Sequence, residues 1–177
     1  MKLRRVHQHL ISRPLEDVAS EVRAQLDALD LEVPQGDVAI TAGSRGIANI
    51  ATITKVAGEW LRDHGADPFI IPAMGSHNGA TAEGQRRMVE SLVITEAAMG
   101  MPIRASMECV KLGSVATGDV WMDRHAHEAA GVLVLNRIKL HTCFSGSIQS
   151  GLVKMMVVGM GKIRSAETFH AAPTDKM

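Results

Sequence analysis

Residues 37–81, DVAITAGSRGIANIATITKVAGEWLRDHGADPFIIPAMGSHNGAT, hold the pattern from which the fold follows. A short apolar run, 37–42, is bounded by Gly36 and Gly43 and reads as a strand. Ile47, Ile50, Ile53, Val56, Trp60 and Leu61 then recur at helical spacing, so 47–64 reads as a helix closed by Gly65 in a left-handed cap. The rhythm repeats at once. PFIIPA (68–73) is a second strand, MGSHNG a glycine-bearing turn, and Thr81 the N-cap of a helix running through Met88 and Leu92. Strands apolar on both faces that alternate with helices predict βαβ units and a parallel sheet. The expected fold class is therefore α/β: a three-layer, mostly parallel sheet with helices on both faces.

Upstream, Leu15, Val18, Val22, Leu26 and Leu29 predict an amphipathic helix with Pro14 in its first turn and Glu16 and Asp17 at its N-terminus. Downstream, ECVKLG (108–113) and GDVWMD (118–123) read as a pair of strands forming a hairpin or an edge. GVLVLN (131–136), apolar on both faces, reads as the strongest strand and is expected at the centre of the sheet. After it come the polar, glycine-spaced segment RIKLHTCFSGSIQSG (137–151), then LVKMMVVGMGK (152–162), then an amphipathic end with Phe169 and His170. A loop of this length inside a compact domain is usually functional. With no internal repeat and no low-complexity linker, residues 1–177 read as a single α/β domain.

Bulk properties narrow the function classes. The 177 residues are 46% hydrophobic but only 3% aromatic, with no tyrosine and eleven methionines, so aliphatic and methionine side chains must fill the core. Nineteen basic residues balance nineteen acidic ones, which argues against a nucleic-acid partner, since such proteins carry a basic excess. Nowhere do about 18 apolar residues run together, as a membrane span requires. Two cysteines, Cys109 and Cys143, lack CxxC spacing and are expected to be free thiols in a reducing compartment, by default the cytoplasm.

Chemistry-bearing residues fall just after the predicted strands. Gly43, Ser44, Arg45 and Gly46 lie between a strand and a helix, where backbone N–H groups and a guanidinium fork would face an anion; Arg45 alternatively pairs with an acid across the sheet. Neither GxGxxG nor GxxxxGK[ST] is present, which removes the ordinary dinucleotide and P-loop readings. His77, flanked by Gly75 and Gly79, occupies the equivalent loop of the next βα unit and is suited to proton exchange, the alternative being a structural hydrogen-bonder. His141 recurs after the third strong strand, with Arg137 and Lys139 nearby and a Ser145, Gly146, Ser147, Ser150 turn able to cradle an anion. In a parallel sheet the loops after the strand C-termini converge on one crevice. One arginine and two histidines there suggest two-base chemistry on a small carboxylic acid, as racemisation or epimerisation requires.

Lys154 stands out because LVKMMVV surrounds it with apolar side chains: burial would free a neutral amine for covalent attachment, while a snorkelling lysine is the alternative. His170 reads as a metal ligand or a terminal residue. His64 is expected to serve the helix C-terminus, and the pairs His7/His9 and His125/His127 are expected at the surface. Cys143 shares the proposed site loop with His141, as a nucleophile or a passive thiol.

Taken together, GSRGIAN, PAMGSHNGATAEGQ, NRIKLHTCFSGSIQSGLVKMMVVGMGK and the terminal Phe169-His170 resemble the N-terminal domain of the lactate racemase family, the nickel-pincer 2-hydroxyacid racemases and epimerases. The resemblance covers most of the chain from about Asp37 onward. It implies a nicotinic acid mononucleotide-derived cofactor tethered through a lysine and holding nickel, with Lys154 matching the tether and His170 completing nickel coordination. His77 and His141 match the two acid/base histidines, and Arg45 the arginine that engages the substrate. Ser44, Gly46, Gly146 and Ser147 are expected to contact the cofactor.

The expected function is thus racemisation or epimerisation of a small-molecule 2-hydroxy acid through hydride transfer to the tethered nickel-pincer nucleotide. A C-terminal domain, which the resemblance implies and the chain is expected to lack, and cofactor-biosynthesis proteins are the expected partners; no nucleic acid or membrane is. Two other classes stay open. One is a non-catalytic anion- or nucleotide-binding module that keeps the site but has lost cofactor attachment. The other is a zinc-dependent hydrolase using His77, His141 and His170.

Overall fold

The computed structural model of the chain describes residues 4–9, 11–116, 118–140 and 149–171. His141, Cys143, Gly146 and Ser147 lie outside the described residues, and of His170 only the backbone is described. Two strands organise the rest. β1 (Gly36–Ala42) and β2 (Ala66–Pro72) pair in parallel over seven residues, Gly36 opposite Ala66 through Ala42 opposite Pro72. A parallel pair needs a long crossover, and α2 (Ile50–Asp63) supplies it. The short β5 (Gly131–Leu133) joins the other edge of β1, giving the order β2-β1-β5. On the far side of β2, residues 102–104 extend the sheet: Ile70 N donates to Pro102 O at 2.9 Å and Arg104 N to Ile70 O at 2.8 Å.

Alternation along the central strands builds two cores. Val38, Ile40, Ala42 and Ile70 face one side, where α1 (Val18–Asp27), α2, α3 (Ala82–Glu90) and α4 (Glu96–Met99) contribute Leu26, Trp60, Leu61, Val89 and Met99. Ala39, Phe69, Ile71 and Ala73 face the other, against Ala126 of α5 (Arg124–Glu128), Met155 and Met160. Burial on both faces explains the unbroken apolar character of β1 and β2. The architecture is the expected three-layer α/β, with an added antiparallel pair, β3 (Cys109–Val115) and β4 (Gly118–Asp123), packed beside α7 (Lys162–Ala171).

Local chemistry sets most boundaries. Asp17 caps α1, its carboxylate accepting from Ser20 N at 3.0 Å, and Thr81 caps α3, its hydroxyl accepting from Gly84 N at 3.0 Å. Gly65, at φ +89°, ends the α2 turn in a conformation that other residues rarely adopt. His64 closes the same helix, its Nδ1 at 2.7 Å from Trp60 O. No helix among the described residues is long and apolar enough to cross a membrane.

Three expectations need correction. α1 starts at Val18, because Asp17 takes the cap; Pro14 and Leu15 precede the helix, Leu29 follows it, and both leucines are exposed. α2 starts at Ile50 rather than Ile47, because Asn49 sits in the left-handed region (φ 61°) that ends the preceding loop. GVLVLN is not the central strand: β1 is, and only Gly131–Leu133 pair as β5. Beyond Leu133 a side chain takes over from the ladder. Thr41 Oγ1, buried beneath, accepts from Leu135 N at 2.9 Å.

That substitution of hydroxyl for carbonyl is testable. Thr41→Val keeps shape but strands the Leu135 N–H, and is expected to cost about 1–3 kcal/mol of unfolding free energy in urea titration; an unchanged midpoint would contradict the role given to Thr41.

Candidate functional site

Because β1 and β2 end level, the loop at 43–49 and the turn at 73–81 leave the sheet side by side. Ser44 lies in the first and His77 in the second, and Ser44 Oγ stands 2.5 Å from His77 Nδ1. The turn itself is tightly tied. His77 N donates to Met74 O and Ala80 N to His77 O, both at 3.2 Å, while Gly75, at φ +61°, donates through its N–H to Gly159 O at 3.2 Å.

The segment beneath the two loops carries Lys154. It runs from Gly151 through α6 (Leu152–Lys154) into a π-helical turn, Met155–Gly159, a rare geometry found often at functional sites. The packing permits no larger residue at Gly159, where a Cβ would stand 2.7 Å from Ala73 O, at the foot of the His77 turn. Met155 is buried against the sheet, its Cε 3.2 Å from where a Cβ on Gly43 would be. Lys154 itself is exposed, so of the two readings left open for it the buried one is not met. The reason is geometric: the apolar neighbours Leu152, Val153, Met156 and Val157 are themselves exposed, and only Met155 and Val158 turn inward.

Electrostatics tie the three residues into one site. The His77 imidazole is held below its ordinary value of 6.5, first by partial burial, then by the positive charges of Arg45 and Lys154. Arg45 is exposed and has no carboxylate within ion-pair distance among the described residues, so the cross-sheet pairing alternative is not observed. The arrangement is an imidazole in its basic form near neutral pH, beside cations that would favour an anionic guest. Open space lies over Gly46 and Gly79, where a Cβ would meet no atom within 4 Å.

The segment that contains His141 is described at its two ends. Asn136 Nδ2 donates to Gly151 O at 2.7 Å, which fastens the start of the 137–150 segment to its finish. Arg137 and Lys139 are exposed. The backbone of His170 lies on α7. The remaining histidines stay out of the site: His7 and His9 are exposed in an irregular stretch, and His125 and His127 lie on α5. Among the described residues no three His, Cys, Asp or Glu side chains gather as a metal site. Cys109 is half-buried, and burial followed by the nearby Asp123 pushes its thiol up, away from nucleophilic use.

One buried lysine escaped the sequence reading. Lys162 is wholly enclosed, with Asp123 and Gln85 around it. Its only local signal is the GMGK turn, which gives no hint of burial, since the acceptors come from three distant segments.

A three-layer parallel α/β domain with an arginine, a histidine and a lysine converging at its strand ends defines the class of protein. Residues 39–176 match the family described as the lactate racemase N-terminal domain, and the chain belongs to that family. No match to a curated protein was found.

The mutual influence of these charges can be measured. Arg45→Gln and Lys154→Met are each expected to raise the His77 titration midpoint toward 6.5, followed by NMR of the imidazole protons. Since folded His77 binds its proton less readily than the unfolded chain does, the domain should lose stability as pH falls through the ordinary histidine range, and each variant should soften that loss. A midpoint unmoved in both variants would separate His77 from the two cations.

Proposed function

We propose that this chain supplies the acid/base and anchoring residues of a 2-hydroxyacid racemase or epimerase. The observation that carries the reading is His77, kept in its basic form by partial burial and then by the charges of Arg45 and Lys154, and hydrogen-bonded to Ser44. Membership of the lactate racemase N-terminal domain family supports the reaction class.

The family's nickel-pincer nucleotide can be tested against the residues present. An exposed primary amine at Lys154, placed where its charge is felt at His77, suits a tether, and the cationic surroundings suit a nucleotide phosphate. On this reading Lys154 would carry the group, His170 would ligate its nickel, and Gly46, Gly146 and Ser147 would line it. When bound, the cofactor would supply the hydride acceptor and donor for the substrate carbon.

The chain's own residues account for the rest. Arg45 binds the substrate carboxylate through its fork of donors and so orients the 2-hydroxyl. A base at His77 Nε2 requires Nδ1–H to donate to Ser44 Oγ, and the 2.5 Å contact provides that partner. Ser44 therefore serves the tautomer of His77 more directly than the cofactor. His77 takes the hydroxyl proton of one enantiomer, and His141, protonated, gives a proton to the ketone oxygen as the other enantiomer forms; in the reverse direction the two exchange roles, so one histidine gains the proton that the other loses. A C-terminal domain would close the site, cofactor-biosynthesis proteins would load Lys154, and the cytoplasm is the proposed location.

In the full-length protein co-expressed with cofactor-making proteins, His77→Ala and His141→Ala are each expected to lower racemisation by about 100-fold or more with the fold intact. Intact-mass measurement should show an adduct that Lys154→Ala abolishes. Full activity in either histidine variant removes the two-base mechanism, and an unmodified chain favours a binding module instead.

A further inference from the structure

Lys162 has no part in the chemistry above, yet among the described residues it and its partner Asp123 are wholly enclosed charged side chains. Its Nζ donates to the Pro72 carbonyl oxygen, lies 2.9 Å from Asp123 Oδ2 in an ion pair off the axis of a hydrogen bond, and stands 3.5 Å from Gln85 Oε1. Oxygens from the end of β2, the end of β4 and the middle of α3 thus surround the ammonium, two as hydrogen-bond acceptors and one as its counter-charge. The backbone of Lys162 is held at φ 52°, a conformation few non-glycine residues adopt and one that persists only where the surroundings impose it. A buried ion pair is weak evidence for stability, because an apolar side chain of like volume fills the space without desolvating two charges. Its use lies elsewhere.

Two of these oxygens lead directly to the His77 turn. Pro72 is the last residue of β2 before it. Gln85 reaches into it: its Nε2 donates to Gly75 O at 2.8 Å and lies 3.4 Å from His77 O. An amide has an oxygen end and a nitrogen end, and a cation that can only donate decides which way it faces. With Lys162 on the oxygen, the nitrogen must point at the carbonyls of residues 75 and 77. Just before Lys162, Gly159 O accepts from Gly75 N, and Met160 O from Asp123 N at 2.8 Å, so the segment that follows Lys154 is stitched to the same turn.

We propose that Lys162 is a positioning residue for His77: its enclosed ammonium fixes the Gln85 amide and the end of β2, and through them the course of residues 73–79 and the seat of the imidazole against Ser44. The consequence for catalysis rests on the function proposed above; the placement itself does not.

Two variants of the chain, labelled at histidine for NMR, test it. Lys162→Met removes the cation. Gln85→Glu keeps an acceptor for Lys162 but removes the donor that holds Gly75 O and His77 O. In both, the His77 Nδ1 resonance, which reports the Ser44 contact, is expected to move toward that of a solvent-exposed imidazole, while His64, fastened to Trp60 O on α2, keeps its shifts. Parent-like His77 signals in a folded Lys162→Met chain overturn the proposal. Should that variant not fold, Gln85→Glu decides alone, and unchanged His77 signals there overturn it equally. Displaced His77 signals in a protein that never racemises a hydroxy acid would refute the proposed function and leave the positioning role standing.

Discussion

The seven-residue parallel pairing of β1 with β2 is the constraint on which the site depends. Side chains alternate between the sheet's faces, so a slip of one residue would exchange Val38 and Ile40 with Ala39 and turn the larger side chains away from the core that Trp60 and Leu61 complete. Register is therefore strongly specified by burial on both sides. Once it is set, Ala42 and Pro72 finish opposite each other, and the chain must leave both strands at the same level. That is why Ser44 can touch His77 across a gap of 33 positions in sequence.

Charge is arranged differently above and within this frame. At the start of β1, Asp37 meets Arg104 in a two-pronged ion pair, and the guanidinium lies 3.9 Å over the Phe69 ring, so the cation is satisfied by the protein itself. Beneath the strand ends Lys162 is satisfied by Asp123 and two neutral oxygens. At the strand ends Arg45 is left facing solvent, with Lys154 acting on the same imidazole. Arg104 and Lys162 are thus settled by acceptors of the protein itself, whereas Arg45 has no carboxylate within ion-pair distance among the described residues, and its charge bears on His77.

Much of this was legible in the order of residues. Apolar runs bounded by glycine, helical spacing from Ile50 to Leu61, and caps at Thr81 and Gly65 are local signals, and β1, α2, β2 and α3 follow from them. The convergence of Arg45 and His77 followed too, because parallel βα units place successive loops on one edge. GVLVLN misled because apolar character reports burial, not position in a sheet: Val132 and Val134 pack against the second core while only three residues pair.

The two lysines mark the boundary between what sequence and structure decide. Apolar neighbours around Lys154 suggested burial, yet a helical turn projects consecutive residues in different directions, and this one points outward beside His77. Lys162 lies in a glycine-spaced turn that carries no sequence signal of burial, yet Pro72, Gln85 and Asp123 enclose it from three parts of the chain. Sequence by itself determined the elements and their rhythm, since periodicity and punctuation act over a few residues. Only the tertiary structure decided which charge is enclosed and which is offered, since an ammonium goes inside only where distant segments together bring it enough oxygen atoms.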